Sequence, residues 1–136
     1  MSIQVFRKSF ILKLEKIHKR KDFLNIQQNG NKVLMENFIL YGLMYDKNYD
    51  SRLPRIGFTA SKKIGNAVKR NKAKRRMRVL IQKFLKPLAK KNTDYVIIAK
   101  NKLNTSLWAD LEKEMLQSIK SLHKIINLDG EKKFEK

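Results

Sequence analysis

The sequence predicts a single α+β domain in which helices pack on a four-stranded, mostly antiparallel sheet. Its 136 residues fit one domain, and an apolar share of 42% is enough to build a core. Short apolar runs bounded by turn residues predict strands, while two longer stretches carry apolar residues at helical spacing. These observations give the element order α-β-β-β-α-β-α, a sandwich of helices over a sheet.

The domain is predicted to occupy residues 17–127. A basic N-terminal extension at 1–16 precedes it, and a flexible polar tail at 128–136 follows it. The N-terminal run FILKL is too short, and too close to charged residues, for a signal peptide or a membrane span. We therefore expect a cytoplasmic protein.

The first half of the domain is predicted to contain one helix and three strands. The helix spans Ile17 to Gln28 and ends at a turn at Gly30–Asn31. The apolar runs KVLM and FILYGLMY, separated by Glu36–Asn37, predict a hairpin of two strands. A polar loop, DKNYDSRLP, then leads to the third strand.

The third predicted strand, RIGFTAS, alternates in character. Its apolar residues Ile56, Phe58 and Ala60 are expected to face the core. The opposite side carries small or hydrogen-bonding residues, namely Arg55, Gly57, Thr59 and Ser61. Such a face has room for a ligand backbone, although alternation alone favours ordinary exposure to solvent.

The stretch SKKIGNAVKRNKAKRRMRVLIQKF, from Ser61 to Phe84, contains ten basic residues and no acidic one. An apolar stripe runs through it and predicts a packed helix rather than a disordered tail: Ala73, Met77, Leu80, Ile81, Phe84 and Leu88. Like charges on neighbouring turns repel one another, and a bound polyanion would relieve that cost.

Gly65 permits a sharp turn at the helix entrance, where Asn66 is the predicted N-cap. Lys62 and Lys63 reinforce an anion site at the first turn.

The last strand and the last helix complete the domain. The run DYVIIAK is continuously apolar, which is typical of a strand inside a sheet. The final helix is predicted to start near Thr105 or Ser106. Its inner side is predicted to carry Trp108, Leu111, Met115, Ile119, Leu122 and Ile126. Trp108 is therefore expected in the core rather than on the surface as a platform for stacked bases.

The distribution of charge indicates the class of partner. The formal net charge is +20, and the segment from Ser51 to Thr93 holds fifteen Lys or Arg with no Asp or Glu. The rest of the chain sets seventeen basic residues against all twelve acidic ones. Concentrated positive charge predicts a polyphosphate partner, because counterion release makes such binding favourable and dependent on salt. A solvated face that only keeps the protein soluble is the weaker alternative.

The sequence predicts no catalytic or metal-ligating residues. The lack of cysteine excludes disulfides, thiolate metal sites and thiol chemistry. His18 and His123 lie far apart and have no neighbours at ligand spacing. Glu112 and Glu114 are two positions apart on a helix, so their carboxylates point in different directions. The sequence therefore describes a surface that binds RNA or DNA.

The stretch RIGFTASKKIGNAVKRNKAKRRMR closely resembles the protein subunit of bacterial ribonuclease P. The family pattern S-K-K-x-G-N-A-V-x-R-N-R-x-K-R-x-x-R is matched at Ser61, Lys62, Lys63, Gly65, Asn66, Ala67, Val68, Arg70, Asn71, Lys74, Arg75 and Arg78. Lys72 replaces the second Arg of R-N-R, which keeps the charge and loses the two-pronged donor. The resemblance runs from about Lys19 to Ile126 and includes KRKDF with Phe23 and FILY with Tyr41. Gln27 stands where the family often has a second aromatic residue.

The resemblance implies a fold with the same element order, of the ribosomal protein S5 domain 2 type. It implies a left-handed βαβ crossover, whereas the general rule predicts a right-handed one. In this family the RNA subunit uses Mg2+ to hydrolyse the 5′ leader from precursor tRNA, and the metal is not bound by a protein carboxylate site. The protein binds the catalytic RNA and the leader, and it is expected to be a monomer.

The resemblance also assigns roles to residues. The basic helix and its entrance would bind the catalytic RNA through Lys62, Lys63, Asn66, Arg70, Asn71, Lys72, Lys74, Arg75 and Arg78. At the entrance, Lys62, Lys63 and Asn66 would hold phosphates or a nearby hydrated metal. A groove between the first helix and the sheet would hold the precursor tRNA leader, lined by Phe23, Tyr41, Arg55, Thr59 and Ser61.

Two other classes of protein stay open at this point. A ribosomal protein or general RNA chaperone would explain the charge and the fold, but not the ordered match from Ser61 to Arg78. A DNA-binding regulator is the weaker alternative, because the basic helix carries bulky charge on both flanks and nothing suggests a dimer with paired half-sites.

Overall fold

A computed structural model describes the chain at residues 14–45 and 52–134, with side chains as far as residue 127. Five strands form one sheet in the order β1-β4-β5-β3-β2. The strands are β1 (Glu15–Lys16), β2 (Asn31–Leu34), β3 (Phe38–Met44), β4 (Arg55–Thr59) and β5 (Thr93–Ala99). The β2–β3 and β3–β5 pairs are antiparallel, whereas the β1–β4 and β4–β5 pairs are parallel.

The sheet therefore differs from the predicted one in two respects. It has a fifth strand, β1, within the predicted N-terminal extension, and it is evenly mixed rather than mostly antiparallel. A strand of two exposed residues has no alternation that a sequence pattern could reveal. The predicted hairpin is confirmed as β2 and β3. Most of the predicted polar loop, at 46–51, lies outside the described residues.

Three longer helices accompany the sheet in the described ranges, namely α1 (Arg20–Asn29), α2 (Ala67–Leu80) and α3 (Trp108–Phe134), and a single helical turn spans Lys86–Leu88. Short 3-10 segments at Lys62–Ile64 and Asn101–Asn104 precede α2 and α3. Apart from β1, the element order is the predicted one. Strands β4 and β5 are parallel neighbours joined through α2, which confirms a βαβ unit. The handedness of that crossover stays a prediction.

Helices cover both faces of the sheet. On one face, residues of β3, β4 and β5 form the main core with α2 and α3. Ile56 is buried there and Phe58 and Ala60 pack against it, as the alternation predicts. On the other face, α1 forms a smaller cluster in which Ile26 packs with Ile17 and Val96. The central strand β5 contacts both clusters, because its side chains alternate between the two faces.

A π-helical segment, Ile81–Leu85, changes the predicted apolar stripe after α2. Its wider turns add a residue to the helical repeat. Leu85 and Ala89 are consequently buried, while Leu88 is 40% exposed, so the prediction that Leu88 belongs to the stripe is wrong. Phe84 is partly buried against the core.

The ends of α1 and α3 differ from the predicted ones. Helix α1 begins at Arg20, and Ile17 is buried before it. Helix α3 begins at Trp108, which is 40% exposed, so its prediction as a core residue is wrong. The rest of the predicted inner stripe of α3 is buried: Leu111, Met115, Ile119, Leu122 and Ile126. The predicted flexible tail starts inside this helix, whose backbone continues to Phe134.

Candidate RNA-binding surface and groove

The entrance of α2 is built from local hydrogen bonds. Ser61 Oγ accepts a bond from the Lys63 backbone N–H at 3.3 Å, and Gly65 reverses the chain with φ +135°, a conformation that favours glycine. Asn66 Oδ1 then accepts from the Lys69 N–H at 3.0 Å, which confirms Asn66 as the N-cap. Lys62 and Lys63 are exposed beside this first turn. The entrance therefore combines amide donors with two exposed ammonium groups.

The predicted contacts on and before α2 form one basic surface, defined here as Lys62, Lys63, Asn66, Arg70, Asn71, Lys72, Lys74, Arg75 and Arg78. Arg70 and Lys74 are partly buried and the others are exposed. Within residues 14–45 and 52–127, no cation of this surface lies in a salt bridge. Its positive charge is thus not neutralised by neighbouring carboxylates, which favours a polyanionic partner.

Two further basic residues of the stretch from Ser61 to Phe84 make contacts within the protein. Arg76 Nη1 donates to the carbonyls of Leu103 at 2.6 Å and Ser106 at 2.9 Å. Lys83 forms a salt bridge with Glu112 of α3. On the opposite flank of α2, Arg78 lies over the Phe58 ring of β4, 5.8 Å from its centroid. Arg76 and Lys83 therefore stabilise the fold, whereas the cations of the basic surface lie in no salt bridge within the described residues.

The groove lies between α1 and the sheet. The Phe23 ring packs against Gly57, and a β-carbon at Gly57 would come within 2.6 Å of Phe23 Cε1. Phe23 and Tyr41 are both partly buried against the cluster of Ile26 and Val96. Gly57 is consequently the residue that lets α1 approach β4 so closely.

A pocket of about 430 Å³ opens at this groove. Its lining residues are His18, Arg20, Phe23, Leu24, Gln27 and Thr59. The structure therefore brings together two of the predicted groove residues, Phe23 and Thr59. Tyr41 packs against the cluster of Ile26 and Val96, and Ser61 lies at the entrance of α2, so neither lines this pocket. Three pocket residues on α1 were not predicted from the sequence: Arg20, Leu24 and Gln27. They are spaced at i, i+4 and i+7 and so share one face of the helix, and this spacing could have identified them.

Arg55 is engaged within the protein. Its Nε donates to Asp94 Oδ1 at 3.0 Å and its Nη2 donates to Asp94 Oδ2 at 2.5 Å, while Nη1 lies 3.5 Å from Asp22 Oδ2. Hydrogen bonding to Asp94, with the charges of Asp94 and Asp22, raises the pKa of Arg55 above its ordinary value. Asp22 belongs to α1 and Asp94 to β5, so Arg55 joins the helix to the sheet. Its guanidinium is thus engaged with two carboxylates of the protein, and its place in the leader groove stays a prediction.

Two negative findings concern the described residues alone. No three His, Asp or Glu side chains there lie close enough to hold a metal ion. None of the helices in the described ranges has the length and apolar character needed to cross a membrane.

The fold and the surface define a small, basic α+β protein with an exposed cationic helix beside a groove. The family model described as Ribonuclease P matches residues 11–123. The ribonuclease P protein component of Streptococcus pneumoniae (strain Hungary19A-6) is 36% identical over 105 residues, which cover 77% of this chain and 81% of that protein. The chain belongs to the ribonuclease P protein family, whose members are subunits of an endoribonuclease that processes tRNA.

Solved structures agree with this assignment. The RNase P protein of Staphylococcus aureus is 30% identical with a TM-score of 0.60, and the match covers 84% of this chain and 96% of that one. The RNase P protein from Thermotoga maritima is 28% identical with a TM-score of 0.63, covering 79% of this chain and 96% of that one. The α+β fold is therefore that of RNase P proteins.

Proposed function

We propose that this chain is the subunit through which ribonuclease P binds its catalytic RNA and the 5′ leader of precursor tRNA. The observation that carries the proposal is the basic surface, whose cations lie in no salt bridge within the described part of the chain. The RNA subunit performs the cleavage, and the protein acts as a monomer in the cytoplasm.

The basic surface binds the phosphates of the catalytic RNA. Lys62, Lys63 and Asn66 hold phosphates at the helix entrance, where the amides of the first turn also point outward. Further along α2, the contacts come from Arg70, Asn71, Lys72, Lys74, Arg75 and Arg78. Lys72 acts as a point charge, whereas an Arg in its place would offer a fork of donors.

The groove holds the leader as an unpaired strand. Phe23 presents an aromatic ring beside the hydroxyl of Thr59, a combination that suits a base and its ribose. Tyr41 packs against the same cluster as Phe23, and Arg55 holds α1 in place through Asp22 and Asp94. The chain runs directly from Thr59 to the α2 entrance at Ser61, so a strand leaving the groove meets Lys62 and Lys63.

Magnesium is assigned to the RNA subunit. The carboxylates within the described ranges that form salt bridges are engaged with cations of this protein: Asp22 and Asp94 with Arg55, Glu36 with Lys102, and Glu112 with Lys83. Glu114 accepts a hydrogen bond from the Asn37 backbone N–H at 2.9 Å. Their engagement within the protein supports the assignment of the metal to the RNA.

A binding comparison tests this function. The chain is assembled with a bacterial ribonuclease P RNA, and its affinities for leader-bearing and mature tRNA are measured. We expect preference for the leader-bearing form, and a loss of that preference in Gln27→Ala combined with Thr59→Val. Lys120→Ala, an exposed change on α3, serves as the control. Equal affinities of the wild-type complex for both tRNAs would instead indicate a general RNA-binding protein.

A further inference from the structure

Trp108 is the single tryptophan of the chain, and it belongs neither to the basic surface nor to the groove. It begins α3, is 40% exposed, and follows Leu107, which is 72% exposed. An aromatic side chain of this size usually belongs to a core, so its position on the surface needs a reason.

The guanidinium of Arg76 lies over the ring of Trp108 and is held there by hydrogen bonds. The guanidinium carbon of Arg76 lies 5.0 Å from the ring centroid. Arg76 itself is fixed by its bonds to the carbonyls of Leu103 and Ser106, at 2.6 and 2.9 Å. The orientation of the indole is therefore set before any ligand arrives, which reduces the entropy lost on binding.

The charge around Trp108 favours an anionic ligand. Lys69 and Lys72 lie on the same flank of α2 as Arg76, both are exposed, and neither is in a salt bridge within the described residues. Asn104 Nδ2 donates to the Lys69 carbonyl at 2.9 Å, which ties the segment before α3 to this flank.

The nearby acidic residues do not cancel this charge. Asp110 lines a separate cavity with Met35 and Glu114, near the β2–β3 turn. Glu112 lies one turn after Trp108, and Lys83 neutralises it. The flank of α2 that faces Trp108 consequently keeps a positive surplus.

We propose that Trp108 is a stacking site for an unpaired base of bound RNA, with Lys69 and Lys72 contacting the adjoining phosphates. An indole offers a π-face to any base, and only an unpaired base can leave its own stack to reach it. The site rests on the proposed function in one respect, that the ligand is RNA. It adds a contact on the α3 side of α2, away from the groove under α1.

The single tryptophan makes the test direct. The full chain is titrated with a fluorescently labelled single-stranded oligoadenylate and, separately, with an RNA duplex of the same length. Tryptophan emission and the anisotropy of the label are recorded together. We expect emission to be quenched with the same midpoint as the anisotropy change for the single strand, and little quenching with the duplex.

Variants separate stacking from simple folding. Trp108→Leu keeps apolar bulk but removes the π-face, so affinity for the single strand should fall about tenfold, the size of one stacked base. Trp108→Phe should restore most of that affinity. Leu107→Ala, a neighbouring exposed apolar change, should leave affinity unchanged, and thermal unfolding checks that each variant is folded.

The outcomes distinguish this site from the broader proposal. Binding detected by anisotropy with unchanged tryptophan emission, or with wild-type affinity in Trp108→Leu, would overturn the stacking site and leave the proposed function intact. Failure of both RNAs to change the anisotropy would also overturn the stacking site, whereas the proposed function would fall only if the chain did not bind the ribonuclease P RNA in the same assay.

Discussion

Single residues attach the helices on either side of the sheet to its strands. Arg55 is the clearest example, because it reaches from β4 to a carboxylate on α1 and another on β5. The Asp94 side chain is 2% exposed, so Arg55 rather than water surrounds its carboxylate. A buried carboxylate that loses its cation has no solvent to replace it.

Replacing Arg55 by Met should therefore lower the free energy of unfolding by about 3 kcal/mol, the usual cost of breaking a buried ion pair from one side. Urea unfolding measures the change. The double variant Arg55→Met with Asp94→Asn removes both charges and should recover much of the loss. A double variant as unstable as the sum of the two single ones would contradict this account of Arg55.

His123 gives the protein a predicted sensitivity to acid. The Tyr95 hydroxyl lies 2.7 Å from His123 Nε2 and accepts a bond from the Lys90 N–H at 3.0 Å. The hydroxyl proton is therefore free to be donated to a neutral His123. Burial, with the charge of Lys90, lowers the pKa of His123 to about 4, and burial raises the pKa of Tyr95 to about 12.

The direction in which the free energy of unfolding changes with pH follows from the lowered pKa of His123. The unfolded chain takes up a proton near pH 6.5 and the folded chain only near pH 4, so this contribution to stability is complete above pH 6.5 and is lost as the pH falls toward 4. We expect the free energy of unfolding to fall by about 1 kcal/mol from this source between pH 7 and 5, after allowing for partial exposure. His123→Gln should lack this component in urea unfolding at the two pH values. The same pH dependence in both proteins would contradict the prediction.

At the scale of elements, the approach of α1 to β4 depends on Gly57. In Gly57→Ala the new methyl group would overlap the Phe23 ring, and α1 would have to move away from the sheet. We expect a loss of about 2 kcal/mol in urea unfolding, typical of overpacking. Phe23→Leu in the same chain makes room and should reduce that loss. Wild-type stability in Gly57→Ala would contradict the packing described here.

The contribution of helix α2 to RNA binding is predicted to depend on the number of phosphates that its cations neutralise. Arg75→Ala should weaken binding to the ribonuclease P RNA and reduce the slope of log affinity against log salt by about one. Lys120→Ala removes a charge of the same sign on α3 and should leave the slope unchanged. A salt series gives both values. An unaltered slope in Arg75→Ala would remove that residue from the contact surface.

The regular elements could be predicted because their periodicity is strong. The stripe from Ala73 to Ile81 defined α2, and the apolar run of β5 defined a central strand. The N-cap at Asn66 followed from local chemistry. The π-helical segment at Ile81–Leu85 could not be foreseen, since it is a change in hydrogen-bond register that no residue type dictates.

The sequence predicted which residue types form the candidate site, but it did not predict which of these residues contact other parts of the protein. All the basic residues of α2 look alike in sequence, and only the tertiary contacts separate Arg76, bound to carbonyls before α3, from Arg75, which is exposed. Arg55 appeared free for the same reason, because its partners Asp22 and Asp94 are distant along the chain. Which cations are paired is a property of the fold.

At the scale of the whole molecule, the two faces of the sheet differ in the helices and clusters that cover them. Helices α2 and α3 bury the main core, whereas α1 covers a smaller cluster and opens the pocket of about 430 Å³. Strand β4 connects the two regions, because it lines the groove and leads directly into the entrance of α2. One continuous RNA-binding path across groove and helix is the central claim.

Cleavage at limiting magnesium tests that claim most directly. Precursor tRNA is incubated with a bacterial ribonuclease P RNA, with and without the purified chain, at a magnesium concentration where the RNA alone is slow. We predict cleavage at the mature 5′ end that depends on the protein and weakens in Arg75→Ala. Equal rates with and without the protein would contradict the proposed role and leave only a basic protein that binds RNA.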